Sequence, residues 1–288
     1  MNKLDQNRLK KHADQIGLSL IHAPWSGAGG VYAATTTRAG GNSQPPFDDG
    51  LGSGGLNLAD HVGDEAGAVS SNRAHLAKLL PGPVMWLNQV HGIEVLCLPK
   101  TSQREHQELV TTANGAEDAP TADAAATNQP GRVLTIMTAD CLPVLLCDPD
   151  AGVVGAAHAG WRGLAAGVLP ATILAMRELG ARAGAIKAWI GPAIGAQAFE
   201  VGTEVLSAFR SSPSFSGIEV AQYFQPKPGR DAKLLGDLPG LAIAQLCAAG
   251  LTSMSAAPHC TVEDAGLFSY RRDGQTGRMA SFIWFEAH

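Results

Sequence analysis

With 288 residues, 45% of them hydrophobic, and a mean hydropathy near zero, the chain is long enough to bury a core of its own without disulfide staples. A formal charge of −5 with scattered Lys and Arg excludes a broad electrostatic footprint for nucleic acid, and points instead to small-molecule partners. Five cysteines, an odd number, read as reduced thiols in a reducing compartment. The first 25 residues mix charges throughout, with no secretory apolar stretch, and no run of about 18 apolar residues could span a bilayer, so a cytoplasmic protein is expected.

In chain order, apolar runs predict strands over 31–38, 84–87, 94–98, 132–139, 143–148, 153–158, 186–190 and 281–285. Helical periodicity fits 65–80, 162–180 (bent or shortened at Pro170), 203–210 and 237–249, the last with Asp237 capping its start and Gly250 closing its end. Two polar interruptions, 100–120 and 211–231, read as loops able to cover a pocket. No repeat and no linker divides the chain, so residues 1–288 form one expected domain with an amino-terminal extension over about residues 1–20. Clustered strands with helices between the clusters argue for α+β architecture, layered mixed β-sheets flanked by helices, rather than strict βαβ alternation.

Residues 134–163 carry the central chemical signal. Two apolar runs joined by DPDAG read as a β-hairpin, and a turn centred on Pro149 and Asp150 sets Cys141 opposite His158. A later turn centre shifts that pairing by up to three residues. Taken singly, Cys141 reads first as an inert, buried small hydrophobe and His158 as a satisfied core imidazole. Two features favour use: the small Ala and Gly neighbours of His158 cannot pack around an imidazole, and Cys141 stands where a strand ends. His91, before a Gly in WLNQVHG, is a third candidate. One thiolate and two imidazoles suit a zinc ion whose fourth position stays open, as catalysis requires, with Asp140, Asp123, Asn88 or Gln89 available to orient the ligands.

Eight segments, TTTRAGG (35–41), NLADHVGD (57–64), NQVHG (88–92), TADCLPVLLCDP (138–149), HAGWRG (158–163), IGPAIG (190–195), FEVG (199–202) and FSYRRDGQTGRMAS (268–281), occur in order and resemble the YfiH/laccase-domain family. The resemblance implies a layered αββα fold and zinc bound by the His of NQVHG, the Cys of ADC and the His of HAGWRG, here His91, Cys141 and His158. It further implies a purine nucleoside phosphorylase acting on adenosine, inosine and methylthioadenosine with phosphate, adenosine deaminase activity at the same centre, and a monomer or homodimer. Arg38, His61 and Arg271 match polar motif positions and are candidates for phosphate or ribose contacts. The polar insert near Gln103 and Pro170 depart from the pattern without touching a ligand.

Two other chemistries use the same residues. The family has carried a multicopper polyphenol oxidase label; nine histidines without one His-x-His make a multicopper cluster improbable, although Cu2+ can occupy these ligands and oxidise phenols slowly. Alternatively, Cys141 as nucleophile and His158 as base make a thiol hydrolase or deamidase that does not require His91. A non-catalytic module with structural zinc is disfavoured by three ligands rather than four.

Overall fold

The computed structural model describes residues 3–99 and 119–287. The polar segment expected to loop over 100–120 lies almost wholly outside the described residues. Two sheets stack face to face. The first runs β1 (Leu20–His22), β2 (Val31–Thr36), β15 (Met279–Phe285), β7 (Val133–Thr138), β4 (Val84–Met85) in spatial order, with β3 (Ala39–Ser43) outside the sheets and bridged to Gly55. The second runs β14 (Ser253–Ala256), β10 (Lys187–Ile190), β8 (Leu142–Asp148), β9 (Val153–Ala159), β6 (Ala124–Thr127), β5 (Val95–Leu98). Both mix parallel and antiparallel pairs.

Side-chain alternation along β8 shows how the layers are built. Leu145 and Cys147 point into the inter-sheet core with Leu134, Ile136, Trp189 and Ile283, whereas Val144 and Leu146 point to the opposite face. There they meet helices α4 (Val168–Glu178) and α6 (Leu238–Ala248) through Leu169, Ile173, Leu241 and Leu246. On the far side, α1 (Lys3–Gln15) and α2 (Ala66–Ala77) cover the first sheet through Leu9, Ala13 and Leu76, against Tyr32, Phe282 and Trp284. The order is helix, sheet, sheet, helix, as expected. Burial on both faces explains why the central strands read as unbroken apolar runs. Leu9 and Ala13 make the amino-terminal segment an integral part of the outer helical layer.

The helix expected over 162–180 is two helices, α3 (Trp161–Ala166) and α4, broken at Gly167 in the left-handed region, φ +102°. Pro170 does not cause the break. It falls in the first turn of α4, where its missing N–H has no intrahelical partner to lose. Helix α5 (Thr203–Arg210) and α6 stand where periodicity put them; Asp237 Oδ1 accepts from Gly240 N at 2.9 Å, and Gly250 has φ +91°. The 211–231 segment folds into two 3-10 turns and enters a small third sheet of β11 (Glu200–Gly202), β13 (Lys233–Gly236) and β12 (Phe224–Pro226).

The hairpin of β8 and β9 exists with a shifted register. Pro143, not Cys141, lies opposite His158, and Leu142 opposite Ala159. The turn is centred one residue later than the Pro149–Asp150 pair, and each such step moves the partner by two. Cys141 therefore stands just beyond the strand end, in the turn after β7, instead of across the ladder from His158.

Candidate metal centre and its cavity

Asp123, immediately before β6, is fully buried and organises the centre. Its carboxylate accepts backbone N–H bonds from Val90 (3.1 Å), His91 (2.9 Å) and Gly92 (2.6 Å), and the Nδ1–H of His158 at 2.8 Å. These bonds hold the 90–92 loop, with His91 at the unusual φ of +62° for a residue with a Cβ. They also set the His158 tautomer, leaving Nε2 free to face outward from β9. Of the four residues proposed from sequence, Asp123 is the one that orients the two histidines. Gln89 is instead spent on both backbone groups of Met137, and Asn88 on Thr121.

Three ligand atoms, one each from His91, Cys141 and His158, lie within 4.8 Å of one another, and this is the only such His/Cys/Asp/Glu group among the described residues. Cys141 Sγ is 3.9 Å from His91 Nε2, and the two imidazoles meet edge to face at 4.7 Å. Zinc–sulfur and zinc–nitrogen bonds at a tetrahedral angle require about 3.6 Å between sulfur and nitrogen, so the Cys141–His91 pair needs a few tenths of an ångström of closure to share an ion.

Gly160 shows that the space is reserved. Its φ of −63° and ψ of 159° suit any residue, yet a Cβ there would lie 2.8 Å from His91 Cδ2 and 3.0 Å from Cys141 Sγ. The glycine of HAGWRG is needed for room between the ligands. Gly160→Ala is expected to weaken metal binding by at least about tenfold with the far-ultraviolet circular dichroism unchanged; tight binding by this variant would refute the spacing role of the glycine.

Electrostatics favour a charged pair when no metal is bound. Burial opposes ionisation of Cys141, but the facing His158 and His91 outweigh it and lower the thiol to about 6. Burial likewise opposes protonation of His158, and the Cys141 thiolate with Asp123 overcomes it, raising the imidazole to about 9. Burial would raise the Asp123 carboxyl, yet the His158 and Gly92 hydrogen bonds bring it below its ordinary value.

A cavity of about 440 Å³ opens beside the ligands. His61 and Arg271 line it, as do Arg278, Arg162, Trp161, Phe199, Tyr270, Ile194 and Leu238. Arg38 does not. Its guanidinium is held by the Asp48 carbonyl (2.9 Å), the Asp48 and Asp273 carboxylates, and the Phe268 ring face. Arg278, which sequence reasoning passed over within the quoted FSYRRDGQTGRMAS motif, takes a place on the wall with Nη1 donating to the Thr276 and Gly277 carbonyls. Burial lowers His61 below the ordinary histidine value, and the Arg278 charge adds to this.

A family described as multi-copper polyphenol oxidoreductase laccase matches residues 32–286. The chain belongs to this family, the YfiH/laccase-domain family. Family relatives include an Escherichia coli protein named purine nucleoside phosphorylase YfiH, 42% identical over 271 residues, covering 92% of this chain and 98% of that one. A Pseudomonas aeruginosa protein, also named a purine nucleoside phosphorylase, is 42% identical over 265 residues, covering 91% and 96%. A solved Neisseria meningitidis structure matches with a TM-score of 0.78 at 39% identity, covering 94% of this chain and 100% of that one.

Proposed function

We propose that this chain is a cytoplasmic purine nucleoside phosphorylase that cleaves adenosine, inosine and methylthioadenosine with phosphate, and deaminates adenosine, at a zinc ion held by His91, Cys141 and His158. The observation that carries this reading is the three-ligand group opening into a cationic cavity in a chain that matches, along nearly its whole length, relatives named for the phosphorylase activity. Arg162, Arg271 and Arg278 bring positive charge, while the single lining carboxylate, Asp140, is taken up by protein donors. That balance suits an oxyanion co-substrate. Trp161, Phe199 and Tyr270 offer ring faces for a purine, and Ile194 and Leu238 exclude water beside it.

Bound zinc would supply a Lewis acid with one open position, able to polarise a leaving group or to bring water to a pKa of about 7. The protein residues do the rest. Arg271 and Arg278 hold phosphate against C1′ of the ribose, whose bond to the purine nitrogen breaks as the phosphate oxygen bonds. His61, lowered below the ordinary histidine value by burial, relays the proton that phosphate gives up to the departing purine nitrogen. Asp123 keeps His158 in the tautomer that presents Nε2.

Copper could occupy the same ligands, but a single three-residue group among the described residues does not furnish a multicopper cluster. One observation favours the thiol-hydrolase alternative: the 2.8 Å His158–Asp123 bond completes a Cys–His–Asp arrangement. Product chromatography of zinc-loaded protein with adenosine, with and without phosphate, separates the readings. Phosphate-dependent adenine and ribose 1-phosphate are expected, reduced by at least about a hundredfold in His91→Ala and Cys141→Ala. Inosine formed regardless of phosphate marks deamination. No product from any purine nucleoside would sink the proposal, and a thiol-dependent hydrolysis surviving His91→Ala would put the alternative in its place.

A further inference from the structure

Asp140 lines the cavity and directly precedes Cys141, at φ +97°, a conformation that a residue with a Cβ rarely adopts. Its carboxylate accepts the Thr261 hydroxyl at 2.6 Å, the Ser269 hydroxyl at 2.7 Å and the Arg271 backbone N–H at 2.7 Å. Its own carbonyl accepts from Ile194 N at 2.9 Å. Thr261 and Ser269 are themselves fully buried. The four partners come from three stretches of chain: Thr261 from the loop after β14, Ser269 and Arg271 from the cap and first turn of helix α7 (Tyr270–Asp273), and Ile194 from the loop after β10. Two of these stretches reach the cavity wall, one through Ile194 and the other through Tyr270 and Arg271. Arg271 is tied down in turn, its Nη1 donating to the carbonyls of Ala198 (3.3 Å) and Glu200 (3.0 Å).

A carboxylate accepting three short bonds is poorly placed to act as a general base or as a fourth metal ligand. We infer that Asp140 is a positioning residue that couples the metal ligand Cys141 to the Tyr270–Arg271 wall of the substrate cavity, so that metal affinity and nucleoside affinity respond together to one hydrogen-bond junction. The physical reason is economy of constraint. A strained backbone turn is held only while its surroundings over-determine it, and here the far wall of the cavity supplies the restraint. Loosening the Ser269 or Thr261 bond lets the turn relax, which moves Cys141 Sγ and Arg271 at once. This rests on His91, Cys141 and His158 binding a metal, and not on the identity of the substrate.

The test uses Ser269→Ala and Thr261→Val, which leave Asp140 and every proposed ligand in place. Cobalt(II) affinity of the metal-free protein is read by chelator competition without nucleoside, and KM and kcat for adenosine are read on the zinc-loaded protein. Ser281→Ala is the control, since its buried hydroxyl lies 2.7 Å from that of Thr35. The expected result is cobalt affinity about tenfold weaker in both junction variants, KM raised by a similar factor with kcat less affected, and cobalt affinity unchanged in the control. Cobalt affinity within twofold of wild type in both junction variants, an equal loss in Ser281→Ala, or weakened cobalt affinity with KM unchanged would overturn the coupling. Because the cobalt measurement needs no turnover, its failure overturns the inference even in a protein that cleaves no nucleoside.

Discussion

Replacing Asp123 with Ala is expected to lower stability by about 3–5 kcal/mol and to abolish tight metal binding. Four donors converge on this buried carboxylate, three of them backbone N–H groups that no other described bond satisfies. A buried donor left without a partner costs about 1–3 kcal/mol; the His158 N–H is buried, whereas the three backbone N–H groups are half-buried and regain part of the loss from water. Relaxation of the 90–92 loop recovers part of that sum. For a domain of this size the loss is a fall in Tm of about 10 °C. Asp123→Asn keeps the shape but turns an amide N–H2 toward existing donors, so it should retain more stability while weakening metal binding by about 10–100-fold. Thermal melts of metal-free protein, paired with metal titrations, check both. An Asp123→Ala protein melting within 2 °C of wild type would contradict the role given to this residue.

The second large effect is pH dependence of metal affinity, and its sign follows from the Cys141–His158 pair. With no metal bound, Cys141 loses its proton at about 6 and His158 keeps its proton until about 9. A metal takes the thiolate and the neutral imidazole. Between pH 6 and 9 binding therefore expels one proton from this pair, the one on His158; below pH 6 it expels two. Apparent affinity should rise about tenfold per pH unit from 6 to 9, about 10³-fold in all, and more steeply below 6. Chelator competition corrected for chelator protonation measures this, with thiolate absorbance near 240 nm reporting a Cys141 midpoint near 6. Flat affinity between pH 6 and 9 would mean that the imidazolium does not form.

Much of the site was legible because its chemistry sits in unusual local contexts. His158 among Ala and Gly, and Cys141 at a strand end, stand out against a core built from larger apolar residues, and the ordered motifs reach from Thr35 to Ser281. What pointed astray did so for local reasons. Pro170 looked like a helix breaker until its position in the first turn of α4 removed the penalty, while Gly167 took the left-handed conformation that ends α3. Strand β6, AAAT, was missed because alanine has little strand preference. The small side chains of Ala124 and Ala126 are explained by α4 packing closely over the same sheet face, where a Cβ on Gly155 of neighbouring β9 would lie 2.7 Å from Met176 Sδ.

By itself the sequence determined a strand-rich α+β layering and the core helices through apolar periodicity, the ordered family motifs pointed to the αββα order, and local residue types singled out His91, Cys141 and His158 as candidate ligands. The tertiary structure alone decided the hairpin register, the choice of Asp123 over Asn88 and Gln89 as the group that orients the two histidines, and the exchange of Arg38 for Arg278 on the cavity wall. Those outcomes depend on which polar side chains, distant in sequence, compete for the same donors once the two sheets close. A guanidinium already held by Asp48 and Asp273 cannot be told from a free one until the chain has folded.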